Sequence, residues 1–188
     1  LDKKVIAILP GSRKSEIKHH SKPLTDFINK YKKENSDVEI VVALNKESDL
    51  QGELKQLSNK INVIYNSTQK VLAICDLAIV ASGTATLEAA ILAKPMVVIY
   101  KSNKFSNFIL SNFFLKTKFI SLPNILSQEK IVYELRQNKV SSKEMIEKVE
   151  LSFKNQKDIS DKLSLIKDSL LVTNSNKFSN ALKEILAK

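Results

Sequence analysis

Five short apolar runs, at residues 4–9, 38–43, 61–64, 77–81 and 96–100, are separated by segments of helical spacing at residues 23–33, 49–57, 69–75 and 85–92. Several runs, Leu77-Ala78-Ile79-Val80 among them, are apolar without alternation, as a strand buried on both faces requires. Strand and helix in such regular succession predict an α/β fold: a Rossmann-like parallel sheet with helices on both faces. In a sheet of that kind ligands bind at the carboxyl ends of the strands. Gly11 and Gly83 both fall at such ends, each just after an apolar run.

Beyond residue 100 the character changes. Residues 104–115 hold Phe105, Phe108, Ile109, Phe113 and Phe114, an apolar helical face between lysines. Core packing, packing on a further domain and contact with a membrane surface all suit it, and the flanking Lys101, Lys104, Lys116 and Lys118 suit the last. Apolar stripes beside a parallel sheet usually face it, which favours core or interdomain packing. Residues 119–122 read as short and extended. From residue 131 the pattern is helical and polar, broken near Ser141 and Thr173, with a last amphipathic helix at 177–187. The expected division is a Rossmann-like domain over residues 1–140 and C-terminal helices over 141–188.

The 188 residues are 43% hydrophobic, enough for a real core. A single Cys rules out an internal disulfide and fits a reducing compartment. No segment resembles a signal peptide, and no apolar run approaches the roughly 18 residues of a membrane span. The chain opens on Leu1 with a strand almost at once, which suggests a piece of a longer protein.

The net charge of +10 is unevenly spread. Residues 1–33 carry nine Lys/Arg against three Asp/Glu and residues 101–139 seven against two, whereas residues 34–100 carry five against eight. Nucleic acid is the first partner a basic chain suggests, and a binder of it would show steep salt dependence. Here the aromatics are few, the lysines are scattered and no nucleic-acid motif is present, so none is expected. Anionic small molecules or an anionic lipid surface fit as well.

Two turns carry the chemistry. The first, Pro10-Gly11-Ser12-Arg13, follows a strand directly. Its backbone N–H groups and the fork of Arg13 can hold a diphosphate, although an ordinary turn with a solvated Arg has the same composition. It is not a P-loop, because the second Gly and the Lys-Ser/Thr pair are missing. Nearby, Ser15 and Ser21 are candidate helix caps, and Glu16 favours a helix start and can pair with Arg13. His19 and His20 are adjacent, so on a helix they point about 100° apart and cannot grip one metal, though either can touch a phosphate.

The second turn is Ser82-Gly83-Thr84, between a buried strand and a helix. A helix N-terminus directs unpaired N–H groups at an anion. One turn on, Glu88 shares a helix face with Thr84, and a carboxylate there suits the two hydroxyls of a ribose. Phosphate at the turn and ribose at the carboxylate describe a nucleotide diphosphate. A helix cap followed by an exposed acid is the plainer alternative. Further on, Ser121-Leu122-Pro123-Asn124 places an amide that can read a sugar or base, or cap a turn.

Together, Leu9-Pro10-Gly11-Ser12-Arg13 with Glu16, Ala81-Ser82-Gly83-Thr84-Ala85-Thr86-Leu87-Glu88, Lys94-Pro95-Met96-Val97-Val98-Ile99-Tyr100 and Ser121-Leu122-Pro123-Asn124-Ile125-Leu126 resemble the lipid-A-disaccharide synthase family over about residues 4–136. The Ser-Gly-Thr…Glu element is shared widely among two-domain glycosyltransferases. The Pro-Gly-Ser-Arg and Ser-Leu-Pro-Asn elements make the match specific. The resemblance implies a GT-B enzyme that joins UDP-2,3-diacylglucosamine to 2,3-diacylglucosamine 1-phosphate, giving a β-1,6 disaccharide and UDP, with no metal or other cofactor. This chain would be its C-terminal, UDP-sugar-binding half. Its partners would be the UDP-sugar, the lipid acceptor and the N-terminal half that carries the acid/base residues, so no catalytic residue is expected here. The implied location is cytoplasmic, with attachment to the inner membrane and oligomer formation left open. By motif, Gly11, Ser12 and Arg13 would serve the diphosphate, Ser82, Gly83 and Thr84 the phosphate at the helix start, Glu88 the ribose and Asn124 the nucleotide-sugar. A nucleotide-sugar-binding or epimerase-like module without transferase activity is the rival. An epimerase would need acid/base groups in this cleft, for which only His19, His20 and Glu88 are candidates.

Overall fold

A computed structural model describes residues 3–57, 61–102 and 118–172. Six parallel strands form one sheet: β1 (Lys4–Leu9), β2 (Val38–Leu44), β3 (Asn62–Tyr65), β4 (Leu77–Ala81), β5 (Met96–Tyr100) and β6 (Tyr133–Arg136). Their order is β3-β2-β1-β4-β5-β6. The chain winds outward from β1 to β3, then crosses back to β4 and winds the other way. Between β1 and β4 the following loops diverge and open a crevice.

Residues of successive parity face opposite layers. From β1, Ile6 and Ile8 enter one core and Ala7 and Leu9 the other. The first core is covered by α1 (Lys14–Glu34), α2 (Gly52–Gln56) and α6 (Ser142–Lys154). In α1 the buried residues Ile17, His20, Leu24, Phe27 or Ile28, and Tyr31 recur at three- and four-residue intervals, which puts them on one stripe. Phe27 and Tyr31 stack with ring centroids 5.2 Å apart, and the Tyr31 hydroxyl donates to Glu150 at 2.6 Å, tying α1 to α6. The second core lies under α3 (Thr68–Ile74), α4 (Ala85–Ile91), α5 (Leu122–Ser127) and α7 (Gln156–Val172). Small strand residues there, Ala7, Ala43 and Ala78, let the short helices α3 and α4 approach the sheet closely. Met145 and Val149 of α6 and Ile159 and Leu163 of α7 belong to these same cores, so both C-terminal helices pack on the sheet.

Three local expectations give way. The first helix begins at Lys14 rather than near Pro23, which lies inside it. Its start is fixed by Glu16, whose carboxylate accepts the N–H of Arg13, the N-cap residue, at 3.4 Å. Ser21, half a helix further on, caps a different helix: its hydroxyl accepts the N–H of Leu54 at 2.8 Å in the first turn of α2. Residues 131–140 are not helical but contain β6 and a short 3-10 turn, and Leu122 opens a helix rather than ending a strand. The Phe-rich stretch at 104–115 and the amphipathic stretch at 177–187 lie outside the described residues. Among the described residues no helix is long and apolar enough to cross a membrane.

Candidate functional site

The register of β1 against β4 sets the site. Leu9 pairs with Val80, so the turns that follow the two strands leave the sheet side by side. Gly11 has φ +127, and a Cβ there would lie 2.9 Å from Glu16 Cβ, so this turn can only be glycine. Gly83 has φ +155, but among the described residues a Cβ on it would meet nothing within 4 Å. Its α-carbon therefore faces open space.

That space is a cleft of about 550 Å³. Gly11, Ser12 and Glu16 line it on one side, and Ser82, Gly83, Thr84 and Glu88 on the other. Among the described residues, no group accepts from the N–H of Gly83, Thr84 or Ala85. Three donors thus stand free where α4 begins, beside the half-buried Glu88. The Ser82 hydroxyl is already committed, donating to the Ile120 carbonyl at 2.7 Å, which leaves its oxygen as an acceptor. Arg13 stands at the mouth rather than in the lining: its side chain is 80% exposed and Nη1 meets Glu16 Oε1 at 3.3 Å. Glu16 also accepts the Ser12 N–H at 3.2 Å, so one carboxylate shapes the whole turn and restrains the guanidinium.

Of the eight residues singled out from sequence, six line the cleft and Arg13 borders it. Asn124 is separate. It is fully buried, and its amide is saturated: Nδ2 donates to Val132 O and Glu134 Oε1, both at 2.9 Å, and Oδ1 accepts the N–H groups of Ile131 and Val132 at 2.8 and 2.9 Å. No donor or acceptor is left for a ligand. The rim the sequence did not mark is formed by Asn45 after β2 and by Asn66, Ser67, Thr68 and Lys70 around the start of α3. The strand-end position of an Asn-Ser-Thr cluster was the available signal.

His20 does not reach the cleft either. It is buried, with Nδ1 2.7 Å from Pro10 O and Nε2 accepting the Lys101 N–H at 3.0 Å. A carbonyl can only accept, so Nδ1 carries the proton and the ring is neutral. Burial, the largest influence, holds its pKa below the ordinary 6.5. The unfolded chain therefore takes a proton as pH falls below 6.5 while the folded domain resists it, and stability falls in that range. Urea melts at about pH 7.5 and about pH 5.5 should show this loss, and His20→Gln should flatten it. Equal slopes for the two proteins would show that another group is responsible. Of the three candidate acid/base residues only Glu88 lines the cleft. Cys75 is buried with its pKa pushed up to about 11, mainly by burial, so its thiol stays protonated. Among the described residues no three His, Cys, Asp or Glu side chains come together as a metal site would need.

The fold is shared with a solved glycotransferase and a solved epimerase. The glycotransferase of kitacinnamycin superposes with a TM-score of 0.59 at 17% identity, over 98% of this chain and 43% of that one. The UDP-GlcNAc 2-epimerase of Neisseria meningitidis, solved with UDP-GlcNAc, gives 0.56 at 14% identity over 91% and 45%. At such identities the likeness is one of fold alone. Sequence goes further. The lipid-A-disaccharide synthase of Colwellia psychrerythraea is 33% identical over 99% of this chain and 49% of its own length. That of Vibrio cholerae is 36% identical over 71% of this chain and 36% of its own. The chain thus spans about half the length of the curated relatives it matches. The family model described as lipid-A-disaccharide synthetase matches residues 1–188, and on that whole-length match the chain belongs to the lipid-A-disaccharide synthase family.

Proposed function

We propose that this chain is the donor-binding half of a lipid-A-disaccharide synthase, and that its cleft holds the UDP of UDP-2,3-diacylglucosamine. What carries the reading is the pairing of the two turns: the Gly11–Ser12 loop and the Ser82–Thr84 loop share one cleft, with Glu88 a helical turn from the free N–H groups. The free N–H groups at the start of α4 take a phosphate, Arg13 reaches in from the mouth to a second, and Glu88 accepts from the ribose hydroxyls. Asn124 serves the site only through the fold.

In the reaction a hydroxyl of 2,3-diacylglucosamine 1-phosphate attacks the anomeric carbon of the donor. The bond from that carbon to the β-phosphate oxygen breaks, and the electron pair leaves with UDP. This half supplies a fixed positive environment for the charge that develops on the leaving diphosphate, from Arg13 and the oriented N–H groups. The attacking hydroxyl gives its proton to a base carried by the other half of the enzyme. Alone, the chain would bind UDP and turn nothing over. Its place would be the cytoplasmic face of the inner membrane, where both lipids are presented.

Calorimetric titration of UDP and uridine into the 188-residue chain tests this. UDP should bind. Arg13→Ala should weaken UDP about tenfold and leave uridine unchanged, because the guanidinium serves phosphate. Glu88→Gln should weaken both alike, because ribose is common to them. An equal loss for both ligands in Arg13→Ala would remove the Arg from the phosphates.

A further inference from the structure

The cleft's second turn is held from a distance by a carboxylate that touches no ligand position. Glu134 lies on the edge strand β6, yet its side chain is only 8% exposed. It accepts the N–H groups of Ile120 at 3.0 Å and Ser121 at 2.9 Å, the Ser121 hydroxyl at 2.7 Å and Asn124 Nδ2 at 2.9 Å. Arg136 Nη2 adds a fifth donor at 3.3 Å. One buried charge thus fixes the backbone that leads into α5. A carboxylate with this many donors satisfies its desolvation locally and has little freedom to move.

The segment it fixes is the one that grips the cleft loop. Ile120 O accepts the Ser82 hydroxyl at 2.7 Å. Leu122 N–H donates to Thr86 Oγ1 at 3.2 Å, and that hydroxyl donates to Gly83 O at 2.7 Å. Two hydrogen-bonded routes therefore run from Glu134 through residues 120–122 to both sides of Gly83. Thr86 is fully buried, so it acts only as a link. We propose that Glu134 is a positioning residue for donor binding: through Ile120–Leu122 it sets the orientation of the Ser82–Thr84 backbone that receives the phosphate. This rests on the reading of the cleft as a UDP site. The need for such a brace follows from the loop itself, since Gly83 has no side chain to pack and a Cβ there would find no neighbour among the described residues.

Glu134→Gln in the 188-residue chain is the test. The amide fits the space, but whichever way it is turned it sets a donor against the Ile120 N–H, which meets both carboxylate oxygens at 3.1 and 3.0 Å. Two readouts separate the links of the argument. In the ligand-free chain, the amide resonances of Ser82, Gly83 and Thr84 should move, although Glu134 touches none of them. In titrations, UDP should bind about tenfold more weakly, the scale of loss seen when outer groups that orient a site are changed. Unmoved resonances, or UDP affinity within about twofold of the parent, would overturn the proposal. If the parent chain itself does not bind UDP, the cleft reading fails, and the resonances still decide whether Glu134 orients the loop. If Glu134→Gln does not fold, Thr86→Val cuts one route without touching the carboxylate. It should weaken UDP several-fold, and Thr86→Ser, which keeps the hydroxyl, should restore it. UDP binding unaffected by Thr86→Val would then overturn the proposal.

Discussion

Gly83→Val is expected to abolish UDP binding, weakening it more than about 100-fold, while the domain still folds. The expectation comes from two properties of one position. Among the described residues, a Cβ on Gly83 meets nothing within 4 Å beyond its chain neighbours, so the added side chain would not disrupt the core. On the proposed reading of the cleft, it would project into the space that the phosphate enters to reach the N–H groups of Thr84 and Ala85. The backbone at φ +155 is costly for a branched residue, by about 1–3 kcal/mol, which a domain of this size tolerates. Gly83→Ala should fall between the two, with less bulk and less strain. Calorimetry for UDP and a urea melt on each variant separate occupancy from unfolding. UDP binding by a folded Gly83→Val at parental strength would place the phosphate elsewhere.

Much of the fold can be read from the residues, and the reason is burial. The central strands β1, β4 and β5 begin and end where their apolar runs do, at Lys4–Leu9, Leu77–Ala81 and Met96–Tyr100. Each has a strand on either side and a core on both faces, so nearly every side chain must be apolar. The edge strand β6 escapes the same logic. In Tyr133-Glu134-Leu135-Arg136 only Leu135 is a buried apolar residue, and the polar neighbours imitate a helix or turn. Pro23 misleads for a related reason. Proline is favoured at a helix start, but here α1 carries it internally because the buried stripe from Ile17 to Tyr31 outweighs the local preference. At α5 the start signal was present, Ser121 as N-cap followed by Pro123 in the first turn, beneath an apolar run that reads as strand.

For the site, the two glycine turns were legible because a turn that needs glycine after a buried strand leaves few alternatives. What residue type alone does not tell is which polar groups remain free. Ser82 and Asn124 look equally available as letters. One hydroxyl sits at the cleft with its proton engaged, whereas the other side chain has every donor and acceptor spent inside the protein. Glu134 is hidden for the converse reason. Its function is in what it holds, and its partners lie 13 and 14 residues away along the chain.

Asn124→Ala should therefore cost the domain about 3–5 kcal/mol of stability, a large share of what a domain of this size possesses. The substitution leaves the Val132 N–H without its acceptor and Val132 O without a donor, and leaves the Ile131 N–H only its longer bond to Glu129 O at 3.2 Å, all in a site closed to water. Each stranded buried group costs about 1–3 kcal/mol, and the small void left by the side chain adds to it. Asn124→Asp sharpens the test. It keeps an oxygen for Ile131 and Val132, but it sets a second carboxylate against Glu134 Oε1, where Nδ2 now lies at 2.9 Å. Two buried like charges at that distance repel, so this near-isosteric change should destabilise at least as much at neutral pH. Urea melts of both variants, each followed by UDP titration on whatever remains folded, give the decision. A parental melt with UDP binding lost in Asn124→Ala would mean that the amide meets the ligand directly. A collapsed melt, with UDP affinity largely kept in the folded fraction, is the result that a side chain wholly committed to the fold requires.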